Sequence, residues 1–358
     1  MEVMWRVVLT VSLLWWGICS SEAKVTCKDK NDHEVDWYIL YKVPKLNNKA
    51  LSGLEYFYID SAKNEWQYPI NNPKGVLANT LQPLLAHKTQ TSDFGFISYN
   101  DQPAGCTADQ VFGHSKGVVM MDKKDTGVWL LHSTPNFPYD RKQGKLWPES
   151  GAQHGQTFIC VTFTYSQFDQ IGKHLQYIRA FPFDYFIPDG FHPVLNSVVK
   201  REDLEPNNPF WDQDLISHGD QKFKSFAKYS SKWTDAQDLY FHIANDLKSD
   251  LAGQSWRGRS HDNSDCSKGD RAVNTIDFVT MTRNGVKLEW NDCQDHSKWC
   301  VTEDHSNPWT CIADLNKALS QDERPGGALC IKNSDVREKF KGFIGHKEDC
   351  PRKRPKPG

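Results

Sequence analysis

The sequence lacks any apolar run long enough to cross a bilayer. Its longest, Val7 to Cys19, spans 13 residues, against the roughly 20 that a transmembrane helix needs. It also lacks any Asn-x-Ser/Thr acceptor with a permitted middle residue, which excludes N-glycans and the sorting that depends on them. Neither sign of charge dominates, since 43 Lys and Arg stand against 45 Asp and Glu. The chain as a whole therefore has no pull on a polyanion, and any affinity for nucleic acid has to come from local clusters. Cys266, Cys293, Cys300 and Cys311, with His261, His296 and His305, are the candidates for zinc, but they contain no Cys-x-x-Cys knuckle. Nor is there a carboxylate cage of the kind that holds magnesium or calcium. No metal and no cofactor is expected.

What is present begins with an export signal. Arg6 precedes the apolar run and Ser21-Glu22-Ala23 follows it, a small-residue cleavage pattern. Residues 1–23 are read as a signal peptide and residues 24–350 as the folded domain. The mature protein is expected to be soluble and secreted, without stable membrane insertion. Loss of the signal takes Cys19 with it and leaves nine cysteines, which mostly pair in an oxidising compartment. The odd count leaves at least one thiol free or bonded to another chain. Residues 351–358, with Arg352-Lys353-Arg354 among prolines, read as a basic disordered tail.

The most informative stretch is Gly113-His114-Ser115-Lys116-Gly117, because its core returns as Asp295-His296-Ser297-Lys298-Trp299. On a strand, residues two apart point to the same face. Imidazole can attack phosphorus or pass a proton, and the ammonium beside it can hold a phosphate oxygen. A chain with 13 histidines makes His-x-Lys by chance, and most such triplets are solvated surface. The shared surroundings argue against chance. Each copy runs on into a short apolar segment, an acid (Asp122 or Asp304), an apolar strand bearing Trp129 or Trp309, and then Asn136 or Asn316. The offsets from His to Asn are 22 and 20 residues, an approximate internal repeat.

Around this repeat, Val35 to Val43, Phe94 to Tyr99, Val118 to Met121, Val128 to Leu131 and Phe158 to Phe163 read as strands by their branched and aromatic content. Residues 79–88 read as a helix, and residues 183–215, rich in Pro, Asn and Asp, as an extended connection. Thr234-x-x-Gln237 resembles a capping box ahead of a helix at 235–249. Asn274 to Met281 and Val286 to Trp290 read as a hairpin around Arg283-Asn284-Gly285. Strands interleaved with helices, in two halves with matching motifs, predict an α/β or mixed α+β protein. The halves, about 24–175 and 176–350, would meet at the site.

Two His-Lys pairs facing one phosphodiester make a complete site without a metal. One unprotonated histidine attacks phosphorus and forms a phosphohistidine, while the other, protonated, serves the leaving oxygen. The roles then reverse as water enters. Lys116 and Lys298 stabilise the equatorial oxygens, with Asn136 and Asn316 as further donors. An acidic working pH follows naturally, since it keeps the proton donor loaded.

At these residues the chain resembles a known family. The paired His-x-Lys with downstream Asn looks like the phospholipase D superfamily, and more specifically the deoxyribonuclease II family. The resemblance covers nearly the whole mature chain. It runs through Val35-Asp36-Trp37-Tyr38, Tyr99-Asn100-Asp101-Gln102-Pro103, both His-x-Lys segments, His132-Ser133-Thr134-Pro135-Asn136, Ser225-Phe226-Ala227-Lys228, Trp309-Thr310-Cys311 and Gly326-Gly327-Ala328-Leu329-Cys330. It implies a phospholipase D-like pseudo-dimer of two βα sandwich halves, with the active site at their interface. It also implies metal-independent cleavage of double-stranded DNA at acid pH, leaving 3′-phosphate ends. By position, His114, Lys116, His296 and Lys298 would be catalytic, with His132 as a third important histidine and Ser133, Asn136 and Asn316 supporting the phosphate. Disulfides Cys27–Cys160, Cys266–Cys350 and Cys311–Cys330 are implied, with Cys300 unpaired and Cys106 and Cys293 either bridged or free.

The chain departs from phospholipase D proper, whose Asp lies seven residues after His, where this chain has Met121 and Glu303. That weakens a phospholipase reading. The missing glycosylation sites turn the expectation from a lysosomal location to secretion, and the resemblance extends to the plancitoxins of starfish venom. The alternatives are a catalytically dead DNA- or cell-surface-binding toxin on the same fold, or a phospholipase of the wider superfamily.

Overall fold

The computed structural model describes residues 24–86, 92–138, 145–229, 238–256, 264, 271–348 and 350. The signal segment 1–23, the tail 351–358, Cys266, His261 and the Thr234–Gln237 motif lie outside the described residues. A short ribbon of β1 (Cys27–Lys28) and β2 (Glu34–Val35) precedes two large sheets.

The first sheet has eight strands: β3 (Trp37–Lys42), β4 (Tyr56–Asp60), β5 (Asn64–Gln67), β6 (Phe94–Asn100), β7 (Lys116–Asp122), β8 (Thr126–His132), β9 (Gln156–Thr164) and β10 (Pro182–Phe186). Their spatial order is β10-β6-β7-β8-β9-β3-β4-β5, antiparallel throughout. The second sheet has nine strands: β11 (Phe210–Ile216), β12 (Lys222–Lys228), β13 (Leu251–Gln254), β14 (Val273–Arg283), β15 (Val286–Asn291), β16 (Trp299–Thr302), β17 (Trp309–Ala313), β18 (Gly326–Lys332) and β19 (Ile344–Glu348). They run β11-β12-β18-β17-β16-β13-β14-β15, with β19 also on β14, and only β13 and β14 are parallel neighbours. The fold is mixed α+β, as expected.

The sequence repeat has a topological counterpart. Each His-x-Lys leads into a strand that forms a meander with the next two, β7-β8-β9 in one sheet and β16-β17-β18 in the other. Alternate residues of these strands go to opposite faces. Trp37, Ile39 and Tyr41 of β3 join a central cluster, while Tyr38 and Leu40 join an outer one. The central cluster takes residues from both sheets, including Val119, Trp129, Ile159, Trp299, Ile312 and Leu329, together with Ile171 and Phe340 from helices Phe168–Tyr177 and Ser334–Gly342. A fully buried aliphatic or Phe side chain contributes about 1.5–3 kcal/mol over its exposed state, so this shared interior is what holds the sheets together.

Disulfides link buried positions. Cys27–Cys160 fastens β1 to β9, and Cys311–Cys330 joins directly paired positions of β17 and β18. Cys350 is disulfide-bonded. Cys106 and the buried Cys300 carry free thiols.

Three local expectations need correction. The helix read at 235–249 runs Leu239–Asp246, capped by Asp238, whose carboxylate accepts from the Tyr240 N–H at 3.0 Å. The helix read at 79–88 is two short ones, Val76–Thr80 and Gln82–Ala86. Pro83 falls in the first turn of the second, where a missing N–H costs nothing. The stretch 183–215 is not simply an extended connection: it holds most of β10, a helix at Pro193–Val199 and most of β11. The Asn284-Gly285 hairpin is present between β14 and β15, with both residues at positive φ, as a tight two-residue turn demands.

Candidate active site

Both His-x-Lys pairs sit immediately ahead of or at the start of a strand, and each is docked by a segment just ahead of a strand of the other sheet. The His114 N–H donates to the Pro325 carbonyl at 3.0 Å, one residue before β18. The His296 N–H donates to the Gly155 carbonyl at 2.9 Å, one residue before β9. Glycine allows the close approach on both sides. A Cβ on Gly113 would run into the Ile178 carbonyl oxygen, and one on Gly155 into the Asp295 carboxylate. The two pairs therefore lie in one region, close enough for the charge of Lys298 to act on His114 and that of Lys116 to act on His296.

At the first pair, Asp101 at the end of β6 is the organising group. It is 2% exposed and accepts from His114 Nδ1 at 2.8 Å, from Arg324 Nη2 at 3.0 Å and from Lys116 Nζ. A carboxylate only accepts, so the hydrogen belongs on Nδ1 and leaves the His114 Nε2 lone pair open. Arg324 Nη1, 3.3 Å from Nδ1, is then a flanking contact. Burial opposes ionisation of Asp101, but Lys116 and His114 outweigh it and hold the carboxyl far below its usual range. Burial and then Lys116 push His114 down to about 3.

The second pair is built differently. Asp295 accepts from the Tyr41 hydroxyl, from Trp290 Nε1 at 2.7 Å and from the Ser297 N–H at 2.9 Å, so it braces the segment without touching the His296 ring. That ring stacks on His154 and lies beside Trp256. Burial, then Lys298 and His154, push His296 down to about 2. Lys298 is buried, donates to the His296 carbonyl at 3.0 Å, and is brought down to about 7 by burial and by Lys116.

The remaining expected residues separate into two groups. His132 closes β8 fully buried, its Nδ1 accepting from the Thr134 N–H at 3.2 Å and its Nε2 without a partner. Burial and Lys116 keep it neutral. Asn316 Oδ1 is likewise buried and unpartnered. The polar atoms of Ser133 and Asn136 have local partners. The Ser133 hydroxyl donates to Gln156 Oε1 at 2.5 Å and accepts from the Thr157 N–H at 3.0 Å. The Asn136 amide nitrogen faces the Gln102 and Pro103 carbonyls at 3.1 and 3.2 Å, from a backbone with φ of 58°.

Sequence reasoning missed Asp101, Arg324, His154 and Asp314. Asp314 is buried between the charges of Lys116 and Lys298, and burial pushes its carboxyl up to about 8 despite the Gly327 N–H it accepts at 2.9 Å. Asp101 lay within the quoted Tyr99–Pro103 segment. The other three carry no local signal. The positions seven after each histidine are remote from this chemistry. Met121 packs in the central core, and Glu303 pairs with Lys341 and Lys347. Among the described residues no group of three His, Cys, Asp or Glu could hold a metal ion.

A mixed α+β protein carrying two such His-Lys arms belongs among the phosphodiester hydrolases. Residues 26–350 match the deoxyribonuclease II family, and the chain belongs to it. It is 35% identical over 345 residues to deoxyribonuclease-2-beta of Mus musculus, covering 92% of this chain and 94% of that one. Identity to deoxyribonuclease-2-alpha of Sus scrofa is 34% over 359 residues, covering 96% and 94%. To plancitoxin-1 of Acanthaster planci it is 32% over 358 residues, covering 96% and 97%.

Proposed function

We propose that this nuclease is a secreted, metal-independent acid endonuclease that cuts double-stranded DNA to 3′-phosphate ends through a phosphohistidine, on a pseudo-dimer of halves 24–175 and 176–350. The observation that carries the reading is the reciprocal docking of the two His-x-Lys pairs, each through its histidine N–H on the other half. His114, with its Nε2 lone pair freed by Asp101, attacks phosphorus. His296 protonates the leaving 5′-oxygen and then takes a proton from the entering water. Lys116 and Lys298 supply the positive charge on the equatorial oxygens that a metal would otherwise supply.

The acid preference has a physical basis in the same charges. Burial and the lysines hold both imidazoles neutral in the empty site. A bound phosphodiester brings one negative charge and favours one proton on the pair. Lowering the pH from 7.5 to 5 makes that proton uptake easier by about 3.4 kcal/mol. Secretion is supported by the disulfides, which fit an oxidising compartment, and by the signal-like segment 1–23. Among the described residues no helix is long and apolar enough to cross a membrane. The likeness to plancitoxin-1 supports a toxin-like role.

The test is digestion of plasmid DNA at pH 5 and pH 7.5 with chelator present throughout. Cutting at pH 5, weak at pH 7.5, is expected. Activity lost to the chelator and restored by magnesium would overturn the two-histidine mechanism. No cutting at either pH would point to a non-enzymatic binding protein, and cleavage of phosphatidylcholine alone to a phospholipase.

A further inference from the structure

His296 lacks what His114 has. Among the described residues no carboxylate oxygen accepts a hydrogen bond from its ring. Its ring neighbours are two aromatic faces instead. His154 stacks on it with centroids 3.8 Å apart and planes inclined by 6°, and Trp256 stands 5.2 Å away at 60°. His154 belongs to the first half and directly precedes Gly155, whose carbonyl takes the His296 N–H at 2.9 Å. The contact that docks the second pair therefore also sets the stack. The His154 ring has a buried Nδ1 without a partner, so no polar bond at that nitrogen competes with the stack for its orientation.

We infer that His154 is a positioning residue for the proton donor: its imidazole face fixes the plane of the His296 ring, where His114 relies on a carboxylate. The inference rests on the two-histidine reading. A carboxylate at this place would bind the proton firmly and make a poor donor. A stacked ring fixes the orientation of the imidazole without binding its proton. Two imidazolium rings in contact repel, so the pair carries at most one proton and titrates as a unit.

The surrounding charges favour a neutral His154. His296 faces Lys298 from its own segment and Lys116, His114 and His154 from the first half. Facing His154 are Lys42 of β3, which opposes a charge there, and Asp295, which favours one. Burial and Lys42 prevail, and they hold His154 below its ordinary value. A charge on His154 opposes one on His296, so removing the His154 imidazole relieves that opposition.

The experiment compares wild type, His154→Phe and His154→Ala on plasmid DNA across pH 3.5 to 7.5, and follows the His296 imidazole by NMR titration without DNA. Phenylalanine keeps the face and removes the titration; alanine removes both. The alanine variant is expected to lose roughly ten-fold in kcat through loss of ring positioning, with little change in KM. The phenylalanine variant should keep most of kcat and titrate His296 at higher pH than wild type. Full kcat in the alanine variant, or a wild-type pH profile with an unmoved His296 titration in the phenylalanine variant, would overturn the inference. Should wild type itself cut no DNA, the nuclease reading fails by that result alone, and the His296 titration in His154→Phe still decides the stack.

Discussion

Replacing Asp101 by asparagine tests the site at its most constrained point. The carboxylate meets three positive or hydrogen-bearing groups, His114 Nδ1, Lys116 Nζ and Arg324 Nη2, at 2% exposure. Asparagine presents one acceptor and one donor in the same space. If its NH2 faces Lys116, two donors collide. If it faces His114, the imidazole has to accept at Nδ1, which moves its hydrogen to Nε2 and removes the attacking lone pair. Either arrangement also leaves buried cations without their counter-charge, a loss of about 3–5 kcal/mol in comparable buried pairs. The carboxyl of Asp101 is held below its unfolded value of about 3.9. Its stabilisation is therefore present above that pH and fades as pH falls through the lower folded value. At pH 5 it is fully in force, so the variant should melt several degrees lower there as well as at pH 7. The rate of DNA cleavage at pH 5 should fall by roughly 10²- to 10⁴-fold, the range for general acid–base and nucleophile activation. Cleavage within a few-fold of wild type together with an unshifted melting temperature would refute the assignment of Asp101.

Two further substitutions probe the charges of the candidate site. Lys298→Ala should cost roughly 10²-fold or more in kcat on DNA at pH 5, as loss of one transition-state donor does; a near-normal rate would reduce the second motif to decoration. Asp314→Asn should cut DNA at pH 5 within a few-fold of wild type, because burial already pushes this carboxyl up to about 8 and the amide can still accept from Gly327. Abolished cleavage in a folded Asp314→Asn protein would show that the charged form is needed.

How much of this could be read from the sequence depends on where the signal resides. The central strands were legible because both sheets are covered on both faces, which turns them into apolar runs such as Val118-Val119-Met120-Met121. The His-x-Lys pairs were legible because a side-chain chemistry was repeated. For Ser133 and Asn136, residue type alone does not show that their polar atoms meet Gln156 and the Gln102–Pro103 carbonyls. The segment 234–237 drew the helix start away from Asp238, the residue whose side chain caps it.

The harder omission is instructive. The repeat was followed only as far as Asn136 and Asn316, yet the structure extends it by one strand in each half, to β9 and β18. The dipeptides just ahead of those strands, His154-Gly155 and Arg324-Pro325, are the ones that cross to the opposite pair. They share no residue type, because the contact they have in common is a backbone carbonyl accepting a histidine N–H, and any residue can provide that. Freed from a common sequence requirement, the side chains beside the carbonyls could diverge: a guanidinium on the Asp101-bound histidine, an imidazole on the other. Two matching backbone contacts thus hold the two histidines, while the side chains around each ring differ.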